Sequence, residues 1–263
     1  MDRQIVYDRE NDRLVYLSEP ATAAYWEDLW AGMLSKENIA KGDRFVLEET
    51  RRVLGKGSRV IDAGCGRGAT VYGLAQGGFE ASGIDYADGT VAAIREYFPD
   101  LNVQVGDVRD MPFEDASFDG VWSLGVIEHF VDGFAPVVQE MHRILRPGGF
   151  LFLTVPSVSP LKSCKIALGS YQQFSPVDQS KFFQFAFRPE WVVSSISEFG
   201  FRFQRSRGRA GSLGLKEDLG LIAKFGLPQQ TNRAMWARAW WRAVDKCVCP
   251  LAFHSKFYLF QKQ

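Results

Sequence analysis

The stretch Val60-Ile61-Asp62-Ala63-Gly64-Cys65-Gly66-Arg67-Gly68-Ala69 constrains this chain more than any other. A short apolar run enters three glycines and leaves into residues suited to a helix, so the chain must turn sharply and bring bare backbone close to something. Glycine permits such a turn and leaves room for a ligand at the start of the helix. Two acids follow at the ends of further apolar runs: Asp85 in Gly83-Ile84-Asp85-Tyr86 and Asp107 in Val105-Gly106-Asp107-Val108. Three strand ends would then present the glycines, one carboxylate and a second carboxylate along one edge of a parallel sheet.

The pattern around this stretch alternates strand and helix. Residues 60–63 read as a strand, 70–76 as a helix stopped by Gly77-Gly78, and 81–86 as a second strand. Asp88 is placed to cap a helix that runs through Tyr97 and ends before Pro99, and 103–105 form a third strand. Residues 118–124 and 149–155 are strands with a helix over 136–145 between them. Repeated strand–helix units imply a parallel sheet, because parallel strands need a crossover. Upstream, Tyr25/Trp26, Leu29/Trp30 and Met33/Leu34 recur at helical spacing, and a second amphipathic helix covers 43–54. Downstream, 158–187 shows no clean period, 189–199 reads as a helix, 201–209 as a strand, 232–248 as a basic aromatic helix, and 256–260 as a last strand. Alternation along 201–209 puts Phe201, Phe203, Arg205, Arg207 and Arg209 on one face, where the arginines could hold a carboxylate or phosphate.

A chain of 263 residues suffices for one large α/β domain with an elaborated cap. Its start is charged, and no apolar run approaches the ~20 residues of a membrane span, so the cytoplasm is the expected location. Cys65, Cys164, Cys247 and Cys249 have no framework spacing, and Cys247-Val248-Cys249 is tighter than the usual zinc or redox pair; no metal is expected. His142 and His254 have no second ligand-like neighbour. Residues 1–155 carry 15 Lys/Arg against 25 Asp/Glu, and 156–263 carry 16 against 6. The basic half therefore faces an anionic substrate, a membrane surface or the acidic half. The 232–248 helix places Trp236, Ala239, Trp240, Ala243, Val244 and Cys247 on one side and Arg238, Arg242, Asp245 and Lys246 on the other, a pattern that suits anionic lipid, a pocket lid or a core cover.

Taken jointly, these motifs resemble the class I S-adenosylmethionine-dependent methyltransferases of the small-molecule type, over residues 60–156. The resemblance implies an α/β fold with a Rossmann-like, seven-stranded, mostly parallel sheet, helices on both faces and a helical cap. It divides the chain into N-terminal helices covering the cofactor pocket (1–57), an S-adenosylmethionine-binding core (58–156), and cap insertions with the last two strands (157–263). It also implies that Gly64, Gly66 and Gly68, with Cys65 between them, pass under the methionine part of the cofactor. Asp62 would order that loop, Asp85 with Tyr86 would hold the ribose, and Asp107 and Val108 would read adenine. The glycine loop alone also fits a dinucleotide fingerprint with Asp85 as its ribose acid. Asp62, Asp107 and the turn Arg146-Pro147-Gly148-Gly149 favour the methyltransferase.

In such enzymes the cofactor supplies the reactive group, and the protein aligns the acceptor and excludes water. The exit Ser123-Leu124-Gly125-Val126-Ile127-Glu128-His129-Phe130 would lie beside the transferred methyl, with Leu124 against the cofactor. Glu128 and His129 could take a proton there; His129, with an unperturbed pKa near ~6.5, is the better base, or else it fixes the loop. Tyr25, Trp30, Arg205 and Arg207 are candidate substrate contacts. The exit lacks the Pro-Pro-aromatic, Pro-Cys and paired-glutamate signatures of adenine, cytosine and protein-arginine methylation. A small-molecule or lipid-linked acceptor is expected, without nucleic acid, and with membrane contact through 232–248 as a further role. The alternatives are a catalytically silent cofactor-binding module acting through its basic cap, and an NAD(P)-dependent oxidoreductase.

Overall fold

The computed structural model describes residues 4–219 and 235–263. It opens with strands β1 (Gln4–Asp8) and β2 (Arg13–Leu17), then helices α1 (Ala23–Ala31), α2 (Lys36–Ala40) and α3 (Arg44–Arg51). The core follows as β3 (Arg59–Ala63), α4 (Ala69–Gln76), β4 (Glu80–Asp85), α5 (Asp88–Tyr97), β5 (Val103–Val105), β6 (Phe118–Leu124), α6 (Ala135–Ile144) and β7 (Leu145–Pro156). The remainder comprises α7 (Pro160–Ala167), β8 (Gln172–Gln173), β9 (Phe182–Ala186), α8 (Pro189–Ser197), β10 (Phe201–Arg209), α9 (Gly211–Leu219), α10 (Met235–Ala252) and β11 (Ser255–Lys262).

Seven strands form one sheet in the order β10-β11-β7-β6-β3-β4-β5. Strands β3 to β7 are mutually parallel, and β11 runs antiparallel to both its neighbours. Alternate residues of each central strand serve opposite faces. Ile61, Val121 and Leu151 pack with Val137, Met141 and Ile144 of α6 and Ile196 of α8, whereas Val60, Trp122 and Phe152 pack with Val46 of α3 and Leu74 of α4. Burial on both faces explains why these strands read as continuous apolar runs. Trp122 stacks on Phe152 with ring centroids 4.4 Å apart, and its indole N–H donates to the Thr50 hydroxyl at 2.9 Å.

The three leading helices begin at side-chain caps. Thr22 accepts from the Tyr25 amide, Ser35 from Asn38, and Asp43 from Phe45 and Val46, satisfying amides that a helix start leaves open.

Four features depart from the sequence reading. Residues 4–17 are a hairpin, where only helices were expected ahead of the core. This hairpin pairs with the aromatic run Phe182-Phe183-Gln184-Phe185-Ala186, giving a second sheet in the order β8-β1-β2-β9. All five residues of β9 are buried, so no polar alternation marks it as a strand. Asp88 is not the cap of α5: Ala87 holds that position, and the Asp85 carboxylate accepts its amide at 3.0 Å. The turn at Arg146–Gly149 is absorbed into β7, where the pairing with β6 shifts between Phe118 and Gly120. Finally, β10 slips register between Phe203 and Arg205. Phe203 therefore contacts Phe260, while the Arg205 guanidinium lies over Phe257 on the other face and Arg209 over Phe45. The five side chains do not share one face.

Candidate active site

At the end of β3 the backbone turns through Gly64 (φ 86°) and Gly66 (φ 47°), a left-handed region that disfavours any side chain. Space imposes the same restriction. A Cβ on Gly66 would sit 2.9 Å from the Trp30 indole, and one on Gly64 would sit 2.6 Å from Val126. The bare loop thus lets α1 and the exit of β6 close upon it. The Gly64 and Cys65 amides donate to the Ile84 carbonyl at 2.8 and 3.0 Å, and the Gly66 amide donates to Asp85 Oδ2 at 2.7 Å. Glycine loop and first acid are thereby one hydrogen-bonded unit. Burial raises the Asp85 carboxyl above its ordinary pKa, against the opposing effect of its backbone donors.

Gly64, Gly66, Asp85, Tyr86, Asp107, Val108, Leu124 and His129 line a single cavity of about 340 Å³. The Arg109 guanidinium engages Asp107 through both carboxylate oxygens at 2.6–3.0 Å and holds its carboxyl below the usual range. The Tyr86 hydroxyl donates to the Ala21 carbonyl at 3.0 Å, and Glu27 of α1 accepts from the Gly89 amide, so the leading helix is tied to the cavity's acidic side. Trp26 and Trp30 form part of the wall, stacked with centroids 5.9 Å apart.

Asp62, Cys65 and Gly68 lie behind the loop, not on the cavity wall. Asp62 is 1% exposed, its Oδ1 has no hydrogen-bond partner, and burial pushes its carboxyl well above the ordinary value. The Cys65 thiol is buried behind the loop, where a Cβ on Gly83 of β4 would lie 2.9 Å from Sγ. Gly68 is the left-handed residue that starts α4.

A second cavity of about 300 Å³ shares Trp26, Leu124, Gly125 and His129 with the first. Tyr25, Phe183 and Leu29 form much of its apolar wall, and Glu128, Gln184 and His254 add polar groups. His129 sits on the short helical turn Ile127–His129, its ring edge-on to Trp26 and Phe183. Its Nδ1 lies 2.7 Å from the Phe183 carbonyl oxygen. A carbonyl only accepts, so Nδ1 carries a proton and the lone pair of the neutral ring belongs to Nε2. Glu128 is 2% exposed, its Oε2 has no partner, and burial pushes its pKa up to about 8. Burial thus favours its neutral, protonated form.

The family described as "Methyltransferase domain" matches residues 61–153. This match covers the glycine loop, both acids and the exit that carries His129. Residues 61–153 are a class I S-adenosylmethionine-dependent methyltransferase domain. Around this methyltransferase core the chain is 34% identical over 136 residues to a demethylmenaquinone methyltransferase of Beutenbergia cavernae, covering 50% of this chain and 55% of that one. It is 36% identical over 169 residues to the 27-O-demethylrifamycin SV methyltransferase of Amycolatopsis mediterranei, covering 60% of each. The chain thus spans little more than half the length of these curated relatives. The solved geranyl diphosphate C-methyltransferase of Streptomyces coelicolor A3(2), bound to Mg2+, geranyl diphosphate and S-adenosyl-L-homocysteine, superposes with a TM-score of 0.54 at 14% identity, over 93% of this chain and all of that one. That likeness is one of fold.

Ahead of the matched domain, Tyr25 lines the second cavity and Trp30 the first. Arg205 and Arg207 reach neither. Arg205 is paired with the buried Glu49 of α3, and Arg207 lines a separate groove with Cys249 and Lys256. The register slip in β10 turns Arg205 away from the face that the sequence pattern assigned to it. Residues 232–234 and the side chains of residues 235–242 and 244 lie outside the described residues. Among those described, no helix is long and apolar enough to cross a membrane. Trp26 and Arg109 were missed by the sequence reading, although each stands within two residues of a named one, Tyr25 and Asp107.

Proposed function

We propose that this chain is an S-adenosylmethionine-dependent methyltransferase acting on a small-molecule acceptor, with the donor in the first cavity and the acceptor in the second. The observation that carries the reading is the seam at Trp26, Leu124, Gly125 and His129, four residues that line both a glycine-and-acid cavity and an aromatic one. When bound, the cofactor supplies a sulfonium methyl that is transferred by in-line displacement.

This chain's residues fit that donor. The Asp85 carboxylate, held by the Gly66 amide, would accept from the ribose hydroxyls, and Asp107 with the Val108 backbone would read the adenine edge. Asp62, buried beneath the loop, would order the loop that the amino-acid end approaches and would not touch the cofactor itself. Trp26 and Trp30 exclude water. His129 Nε2 would take the proton of the acceptor's oxygen, nitrogen or carbon, at the seam where the two cavities share their wall. Neutral Glu128 donates to the acceptor rather than serving as a base.

The test is incubation of the protein with cell extract and methyl-labelled cofactor, followed by separation of aqueous and lipid fractions. Label in a discrete product together with S-adenosylhomocysteine is the expected result, and its fraction tells a free acceptor from a lipid-linked one. Cofactor binding without any turnover would instead mark a silent binding module.

A further inference from the structure

The acceptor cavity holds a second histidine that sequence spacing left without a role. His254 precedes β11, and its backbone is fixed by bonds from its amide to the Arg209 and Ala210 carbonyls and from the Ser157 amide to its own carbonyl. Its Nδ1 lies 2.9 Å from Glu217 Oε2. That oxygen also accepts from Lys162 Nζ and from the Tyr16 hydroxyl, both at 3.3 Å, and Lys162 is fully buried against Asp218 at 3.1 Å. Burial alone would raise the Glu217 carboxyl, but His254 and Lys162 outweigh it and hold the group below its ordinary pKa. Glu217 is therefore a carboxylate that fixes the proton of His254 on Nδ1. Nε2 meets no hydrogen-bond partner among the described residues, while the residue lines the same cavity as His129.

Two further features of that cavity bear on what it takes. Its walls include Tyr25, Trp26 and Phe183, whose flat faces and edges suit a planar guest. No Lys or Arg lines it among the described residues, and Lys162 is committed behind Glu217, so no described cation there compensates a carboxylate or phosphate.

We infer that His254, oriented by Glu217, is a specificity-determining residue of the acceptor cavity, and that the acceptor is a flat, uncharged ring carrying two oxygens, one at His129 and one at His254. The inference rests on the second cavity being the acceptor's. His254 touches the acceptor, whereas Glu217 is a positioning residue that acts through it.

The test uses the full chain saturated with S-adenosylhomocysteine, and tryptophan fluorescence to follow binding of 1- and 2-naphthol and of the set of dihydroxynaphthalenes. The wild type should bind at least one diol about tenfold more tightly than either naphthol, the usual value of one added hydrogen bond. His254→Ala should reduce that preference to less than about threefold, while S-adenosylhomocysteine, held in the other cavity, still binds as in the wild type, which also shows that the variant is folded. Glu217→Gln should lower the preference by a smaller factor, because the ring remains but loses its carboxylate. A diol preference that survives in His254→Ala, or a wild type that binds naphthol and diols alike, overturns the inference and leaves the proposed function standing. Failure of every ring to bind, with S-adenosylhomocysteine in place, overturns the acceptor cavity itself.

Discussion

The carbonyl oxygen of Phe183 lies 2.7 Å from Nδ1 of His129 and joins the exit of β6 to the small sheet. The contact sets the tautomer of the candidate base through backbone 54 residues away. His129→Ala should therefore lower kcat by about 10²–10⁴-fold, the usual range for a lost general base. Binding of S-adenosylhomocysteine, measured by calorimetry, should change by less than about threefold. A comparable loss of both would make His129 a structural residue.

The part of the site that could be read from sequence is the part built locally. The β3 loop, Asp85 and Asp107 are each fixed by a strand end and its next few residues, so the strand–helix pattern alone places them on one edge. What could not be read depends on distant pairing. Leu14 meets Ala186 across the small sheet, and β9 is buried on every side chain, so neither spacing nor alternation announces it. His254 looks isolated in sequence because Glu217 comes to it from α9. A single slipped residue at Gln204 turns Arg205 to the wrong face, since a strand's side-chain period is two. Asp62, Cys65 and Gly68 share a motif with the cavity residues but serve the loop from behind.

Asp85 accepts the amides of Gly66 and Ala87 and lines the donor cavity. Asp85→Ala should weaken S-adenosylmethionine binding by about 1.5–3 kcal/mol, the range for a charged hydrogen bond. Isothermal titration checks this, and an unchanged Kd would remove Asp85 from the cofactor site.

Glu128 has its pKa pushed up to about 8 by burial, above the ordinary value of 4.5. The folded protein therefore holds a proton that the unfolded chain releases at lower pH. The stability from this group is fully present below 4.5 and is lost as pH rises through about 8. Glu128→Gln, neutral at every pH, should remove this slope, so that the wild type weakens relative to the variant by a few kcal/mol between about pH 5 and 9. Urea midpoints at pH 5, 7 and 9 measure it. Parallel profiles would mean that Glu128 is ionised in the folded state.

Lys162 is fully buried in α7, with Asp218 at 3.1 Å and Glu217 at 3.3 Å, and both acids come from α9. A charge pair in such a place is weak evidence of net stabilisation, because desolvation offsets much of the attraction. Removing one member is different, since it leaves the other charge buried. Lys162→Met keeps the volume and loses the cation, and Asp218 then retains only Lys165 at 3.6 Å and the Tyr171 hydroxyl. The expected loss is about 3–5 kcal/mol in chemical denaturation. Adding Asp218→Asn to Lys162→Met removes the orphaned charge and should recover at least half of that loss. Additive losses in the double variant would mean that Lys162 and Asp218 do not interact.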